Sequence, residues 1–550
     1  MSQFFGNNPI VTTAAFLAIA NHLYFKRYEP VRTTVLRTAG ILLVEPALLV
    51  YLIQQSRPEM ALSFSSFSTA YLAFFTSLAT SIVLYRISPF HPLAKIPGPV
   101  ILKITKFWRM YLFVTGRQHL ALKAIHDRYG PIVRIGPNDI SVNDVESVKS
   151  ILGADGLPKG PAYLHSKEVG RPFPLVGTKG AERTYRRRVW SRGFTTEAVK
   201  EYQEIVVSKA AELLEALNMR AKVGLEVDLV QWFNFFAFDF MAEMSFSGGS
   251  DMLKDGRDTH GLIQLLQEGG WASQLASQIP WLTYLATFLP PNNTKLQKFA
   301  VSWCDTRIKK GAERRDLWYH LTDEAGHEQV KPTLTMVASD SVLAIIAGSD
   351  TTATSMSNFI WCILAHPEAY KRVREEVDRE FPQGIDPLLD TSRYGGMKFM
   401  NACINESLRL FPPVPTNGPR IVPKGSGGRM VSGHFVAEGT QIQVPPFCVH
   451  MNPDNFSPSP EAFIPERWLP DGSETMTTKP DAFIPFSYGP ANCIGKNLAK
   501  LEMNMVLTAI VQRFDLQFEK GFDWKKWPED KIDMFVTKNE PLRVLMRPRY

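Results

Sequence analysis

Residues Pro485 to Glu502 read PFSYGPANCIGKNLAKLE, with Cys493 set between Gly489 and Gly495 and a helix-forming run beginning near Ile494. Glycines on either side of a cysteine let the backbone come close to a flat group. The start of a helix favours negative charge on sulfur. Backbone N–H groups aimed at a thiolate also tune how much electron density it passes to a metal. From these residues alone, a buried structural cysteine accounts for the stretch better than a ligand does.

Three further stretches lie upstream. Ala347 to Thr352 (AGSDTT) falls inside an apolar helical run, Ser339–His366, that Pro367 ends. Glu406 and Arg409 (ESLR) lie on the run Asn401–Leu410, stopped by Pro412 and Pro413. Arg467 stands in PERW. Lys371–Glu380 is a charged amphipathic run. Gly130–Val142, Thr440–Val444 and Arg543–Met546 read as strands. The pattern predicts a mainly α fold with a minor β-sheet and no repeat.

Together these residues resemble the cytochrome P-450 family. Phe486, Gly489, Cys493 and Gly495 match its haem loop, Phe-x-x-Gly-x-x-x-Cys-x-Gly, at every spacing, and the other motifs follow in the family's order. The resemblance runs from about Ile96 to the C-terminus and implies a helical prism enclosing haem b (iron protoporphyrin IX). It implies Cys493 as the iron ligand, with Phe486, Gly489 and Gly495 shaping the cofactor loop. Glu406, Arg409 and Arg467 become a structural ionic cluster. Asp350 and Thr351 become the pair that delivers protons to bound oxygen. Gly348 would leave room for that oxygen, and Thr352 would bond back to its own helix.

The implied activity is insertion of one oxygen atom from O2 into a lipophilic small molecule. The extended haem-loop string is similar to fungal microsomal members, which points to a terpenoid or other secondary metabolite. The sequence carries no flavin or NADPH module, so electrons are expected from a separate NADPH–cytochrome P-450 reductase. Lys496 and Lys500 offer it a basic helix face. A haem-thiolate isomerase or dehydratase and a non-enzymatic haem sensor are the alternatives; the Asp350–Thr351 pair argues against both.

One position departs from the family. Two residues before the cysteine, where relatives carry Arg or His for a haem propionate, stands Ala491. Arg183 and Arg187, four apart on a probable helix, and Arg420 are expected to take over. The rest of the run through Arg186 and Arg188 reads equally as solvated or lipid-facing surface.

The chain has 550 residues, 45% hydrophobic and 21% charged, with net charge +7. That excess suits anionic lipid or an acidic partner, and without a clustered basic stripe or motif it excludes nucleic-acid binding. Five scattered cysteines argue against a disulfide framework. Residues 1–87 read as a membrane leader with one to three transmembrane helices: Pro9–Phe25, Thr38–Ile53, which carries Glu45, and Phe67–Tyr85, the strongest. Basic residues after the first (Lys26, Arg27, Arg32, Arg37) and third (Arg86, Lys95), against Arg57 offset by Glu59 after the second, place the main domain on the cytosolic side. The resemblance to microsomal members implies that the membrane is the endoplasmic reticulum. Residues 88–99, with four prolines, form a stiff hinge, and 100–550 the catalytic domain. Its substrate pocket is expected from Asp155–Lys179 and Trp232–Pro291, with Trp271, Trp281 and Phe288 making it apolar.

Overall fold

Apolar runs bounded by caps and prolines become the helices of this computed structural model, which describes residues 8–28, 34–58, 62–164, 174–279, 294–311 and 314–550. Arg32, Glu59, Trp281 and Phe288 lie outside the described residues.

The leader forms α1 (Pro9–Arg27), α2 (Val35–Ser56) and α3 (Phe64–Ile87). Ala14, Ala18 and Ala70 are fully buried among them, so small side chains let the backbones approach. Asn21 of α1 donates to Glu45 of α2, which gives that carboxylate a partner inside an apolar helix. Among the described residues two helices are long and apolar enough to cross a bilayer, α2 and α3. The doubtful span of the sequence reading thus passes on composition, while α1 does not reach the same hydropathy. No helix forms across residues 88–99. This proline-rich segment is tied at its far end, where the Pro97 carbonyl accepts from Arg134 N–H at 2.7 Å.

Beyond the hinge, β1 (Ile132–Gly136) and β2 (Asp139–Val142) form the expected antiparallel pair. Helix α4 (Gly180–Arg192) carries the arginine run. A short strand β3 (Glu226–Asp228) leads into α5 (Leu229–Phe246). The longest helix, α6 (Leu334–Ala365), starts under a Thr333 cap and ends at Pro367 as its sequence dictates. It packs along α5, and the two carry much of the main core. Next come α7 (Lys398–Leu410), β4 (Arg420–Ile421) and β5 (Gln441–Gln443). Last are α8 (Lys496–Arg513), β6 (Phe514–Phe518), the hairpin β7 (Ile532–Met534)–β8 (Val536–Lys538), and β9 (Arg543–Pro548). One sheet has the order β1-β2-β5-β4, with β2 and β5 parallel; a second runs β6-β9-β3. The fold is mainly helical with small sheets, as the residue pattern predicts.

Candidate active site

The Pro485–Glu502 stretch folds into a tight loop that closes on itself before α8 begins. Cys493 N–H donates to the Phe486 carbonyl at 2.8 Å, and Asn492 N–H to that of Gly489 at 3.0 Å. Gly489 sits at φ +70°, and a Cβ there would lie 2.0 Å from the Leu152 carbonyl oxygen, so this position admits only glycine. Its close approach is to protein backbone, a different reason from the one read in the sequence. Gly495 is freer, with Phe194 as its nearest neighbour.

All five cysteines are free, four of them buried, and Cys493 alone is exposed. Its side chain is accessible, yet protein is dense around it. Burial therefore raises the thiol pKa, while the Gly495 N–H, Arg187 and Lys496 act in the opposite direction.

Helix α4 lies against this loop. Arg187 Nη1 donates to the Asn492 carbonyl at 2.9 Å and Nη2 to its Oδ1 at 3.0 Å, while Arg183 Nη2 reaches the Pro490 carbonyl at 3.3 Å. Arg186 between them is neither solvated nor lipid-facing. It is buried and gives Nη2 to Asp340 of α6 at 2.6 Å, beside Trp190, whose indole N–H donates to the same carboxylate at 2.9 Å. Arg188 points outward to Glu328. Arg420 is buried from the β4 side, and its Nε has no hydrogen-bond partner.

On α6, Ala347 is exposed in mid-helix. Thr351, one turn on, donates its hydroxyl to the Ala347 carbonyl at 2.7 Å. The back-bond expected of Thr352 is thus made by Thr351. Gly348 faces the other way, where a Cβ would lie 2.6 Å from Met241 Sδ of α5. That contact gives Gly348 a packing role between α5 and α6. Burial pushes the Asp350 carboxyl up to about 6.

Glu406, Arg409 and Arg467 meet with fully buried side chains. Arg409 makes a two-pronged pair with Glu406 at 2.8 Å for both bonds, and Arg467 Nε reaches the same carboxylate at 3.1 Å. Two residues that sequence reasoning missed complete the cluster. Trp468 donates to Glu406 at 2.9 Å. His450 donates from Nδ1 to the Arg409 carbonyl at 2.9 Å and accepts at Nε2 from Ile484 N–H at 3.0 Å, just before the cysteine loop. Only a neutral imidazole makes both bonds, and burial beside Arg409 holds its pKa down to about 3.

The segments Asp155–Lys179 and Trp232–Pro291 do meet, at a cavity of about 40 Å³, through Tyr163 and Gln274. Its walls mix polar Arg109, Gln441 and Gln443 with apolar Phe113, Pro419 and Phe535. Trp232 belongs to the core.

A family model described as "Cytochrome P450" matches residues 96–546. The chain belongs to the cytochrome P-450 family. It is accordingly a cytochrome P-450 monooxygenase, a haem-dependent oxidoreductase that acts on paired donors with incorporation of molecular oxygen. The trichothecene C-15 hydroxylase of Fusarium sporotrichioides is 31% identical over 486 residues, covering 85% of this chain and 95% of the relative. "Cytochrome P450 67" of Uromyces fabae is 30% identical over 491 residues, covering 86% and 89%. The tryprostatin B 6-hydroxylase of Aspergillus fumigatus is 28% identical over 560 residues, covering 98% and 96%. This last match extends through the leader.

The residues present fit the cofactor of a cytochrome P-450. The exposed Cys493 offers a soft sulfur donor at the end of its loop. Beside it stand Arg183, Arg187 and Arg420, with no carboxylate within ion-pair reach among the described residues, and a buried guanidinium nitrogen of Arg420 lacks an acceptor. A ring carrying two carboxylates answers that need.

Proposed function

We propose that this cytochrome P-450 is a membrane-anchored haem-thiolate monooxygenase in which Cys493 holds the iron of haem b. One atom of O2 enters a lipophilic small molecule, of the terpenoid or other secondary-metabolite class. Electrons come from NADPH through NADPH–cytochrome P-450 reductase. The observation that carries the reading is the exposed Cys493 at the end of a loop tied to Arg187 through Asn492. The activities for which the trichothecene C-15 and tryprostatin B 6-hydroxylases are named support the substrate class.

When bound, haem supplies the centre at which dioxygen is activated. The rest is work for this chain's side chains. Phe486, Gly489 and Gly495 shape the loop that presents the sulfur. Arg183, Arg187 and Arg420 hold the propionates in place of a cation at position 491. Thr351 has its only hydroxyl proton committed to Ala347, so its lone pairs face outward to accept from a water molecule or a protonated oxygen. Asp350, with a pKa near neutrality, exchanges the proton with solvent. Glu406, Arg409 and Arg467 stiffen the framework beneath the loop. Exposed Lys496 and half-buried Lys500 at the start of α8 supply a basic face for the reductase.

Residues 1–87 form the anchor, 88–99 the hinge and 100–550 the catalytic domain, on the cytosolic side of the endoplasmic reticulum membrane. Lys26 and Arg27 end α1 and Arg86 ends α3, the pattern of basic flanks that three spans require. The test is turnover of candidate lipophiles in vesicles holding the full chain, reductase and NADPH under isotopically labelled O2. One labelled oxygen in product, dependent on reductase, is expected. Product without reductase would overturn the reading in favour of an isomerase.

A further inference from the structure

The cationic cluster beside the cysteine loop contains a fourth member that no motif announces. Lys159 is bridged to Arg420 by backbone pairing: Gly160 N–H donates to the Pro419 carbonyl at 2.9 Å and Ile421 N–H to that of Pro158 at 2.9 Å. Its ammonium therefore enters the space of Arg420. Nζ donates to the Val176 carbonyl at 2.9 Å and lies 4.8 Å from the Tyr163 ring centroid. That carbonyl uses one of three N–H donors.

The groups facing Lys159 are Arg420 on β4, Arg183 and Arg187 on α4, and the Tyr163 phenol. Among the described residues no carboxylate comes within ion-pair reach of any of the four cations. Burial and the three guanidinium groups push the Lys159 ammonium down to about 7. Charges of one sign gathered in a partly buried place without a counter-ion cost stability, so the arrangement is complete only when an anion occupies it. The family's cation two residues before the cysteine is missing at Ala491, and Lys159 joins the three arginines from another segment.

We propose that Lys159 is the replacement cation for position 491 and holds a haem carboxylate together with Arg183, Arg187 and Arg420. This rests on the haem-thiolate reading above. Its role is to retain and orient the cofactor, not to react.

The test is haem transfer from the full-length holoprotein in detergent to excess apomyoglobin, followed by Soret absorbance. Wild type is compared with Lys159→Met, Lys159→Arg and the double variant Lys159→Met/Ala491→Arg. Bound carboxylates raise the Lys159 pKa, so haem binding takes up a proton, and wild-type transfer should quicken as pH rises from about 6 to about 9. Lys159→Met should lose haem about tenfold faster at the acid end and lack this slope, because a charge-assisted bond is gone. Ala491→Arg should restore retention to it. Lys159→Arg, charged throughout, should hold haem with a flat pH profile. Wild-type retention by Lys159→Met would overturn the proposal while leaving the haem reading intact. Should Lys159→Met fail to fold, a wild-type slope in Lys159→Arg would overturn it instead. A wild-type chain that takes up no haem would overturn both.

Discussion

Arg187 grips Asn492 at two points, its Nη1 on the backbone carbonyl at 2.9 Å and its Nη2 on the side-chain Oδ1 at 3.0 Å. The residue held is the immediate neighbour of Cys493. A planar guanidinium fixes both the position and the tilt of that peptide, which a lysine ammonium cannot do. The helix that carries Arg187 is itself anchored to α6 by Arg186 on Asp340, so the sulfur's position is referred back to the helix that bears Asp350 and Thr351.

Arg187→Lys should therefore keep a positive charge but loosen the loop. Asn492→Ala should do the same more mildly by removing the Oδ1 bond. Each charge-assisted bond is worth roughly 1.5–3 kcal/mol, so haem loss should quicken about tenfold or more. Transfer rates for the single and double variants check this, and strictly additive effects would mean the two side chains do not act as one unit.

Gly348→Ala places a methyl group against Met241 in the α5–α6 contact. Overpacking of this kind costs about 1–3 kcal/mol. The thermal midpoint should fall, and Met241→Ala should recover much of the loss by making room on the facing helix. If Gly348 instead clears space for oxygen, the midpoint would hold while O2-dependent turnover fell.

Asp350 has its pKa raised to about 6 by burial, so folding favours its neutral form. A raised acid contributes stability below its unfolded pKa and loses it as pH rises through about 6. Asp350→Asn should therefore gain stability over wild type at pH above that value and gain little at acid pH, as read by denaturant unfolding. Its turnover should fall by about tenfold to a hundredfold without change in the haem spectrum. An equal stability difference at both ends of the pH range would contradict the burial argument.

Removal of residues 1–87 should release much of the haem-loaded domain from membranes, as read by sedimentation after salt and carbonate washes. Full retention in the pellet would mean that exposed apolar groups past the hinge, such as Phe107, Trp108 and Tyr111, hold the domain to lipid by themselves.

The helical fold and the buried ionic cluster were legible because their chemistry restricts residue type. Only a cysteine gives a thiolate, only Gly489 fits its contact, and a buried ion-pair cluster needs Glu406 with Arg409 and Arg467. What stayed hidden depends on which way a helix face turns and which distant segment arrives. Period alone did not tell that Gly348 looks at Met241, or that Thr351 rather than Thr352 bonds back. Lys159, Asp340, His450 and Trp468 sit in stretches whose partners lie far along the chain, so nothing local marks them. The share of Gln441 and Gln443 in the cavity wall was likewise unreadable, because β5 brings them in from a distant part of the chain.

Thiolate ligation by Cys493 is the central claim, and the reduced, carbon monoxide-bound absorption spectrum tests it most directly. Wild type should show a Soret band at about 450 nm, because a thiolate donor shifts it there, and Cys493→Ser should lose that band together with NADPH-dependent activity. A Cys493→Ser protein that keeps both the band and the activity would contradict the account.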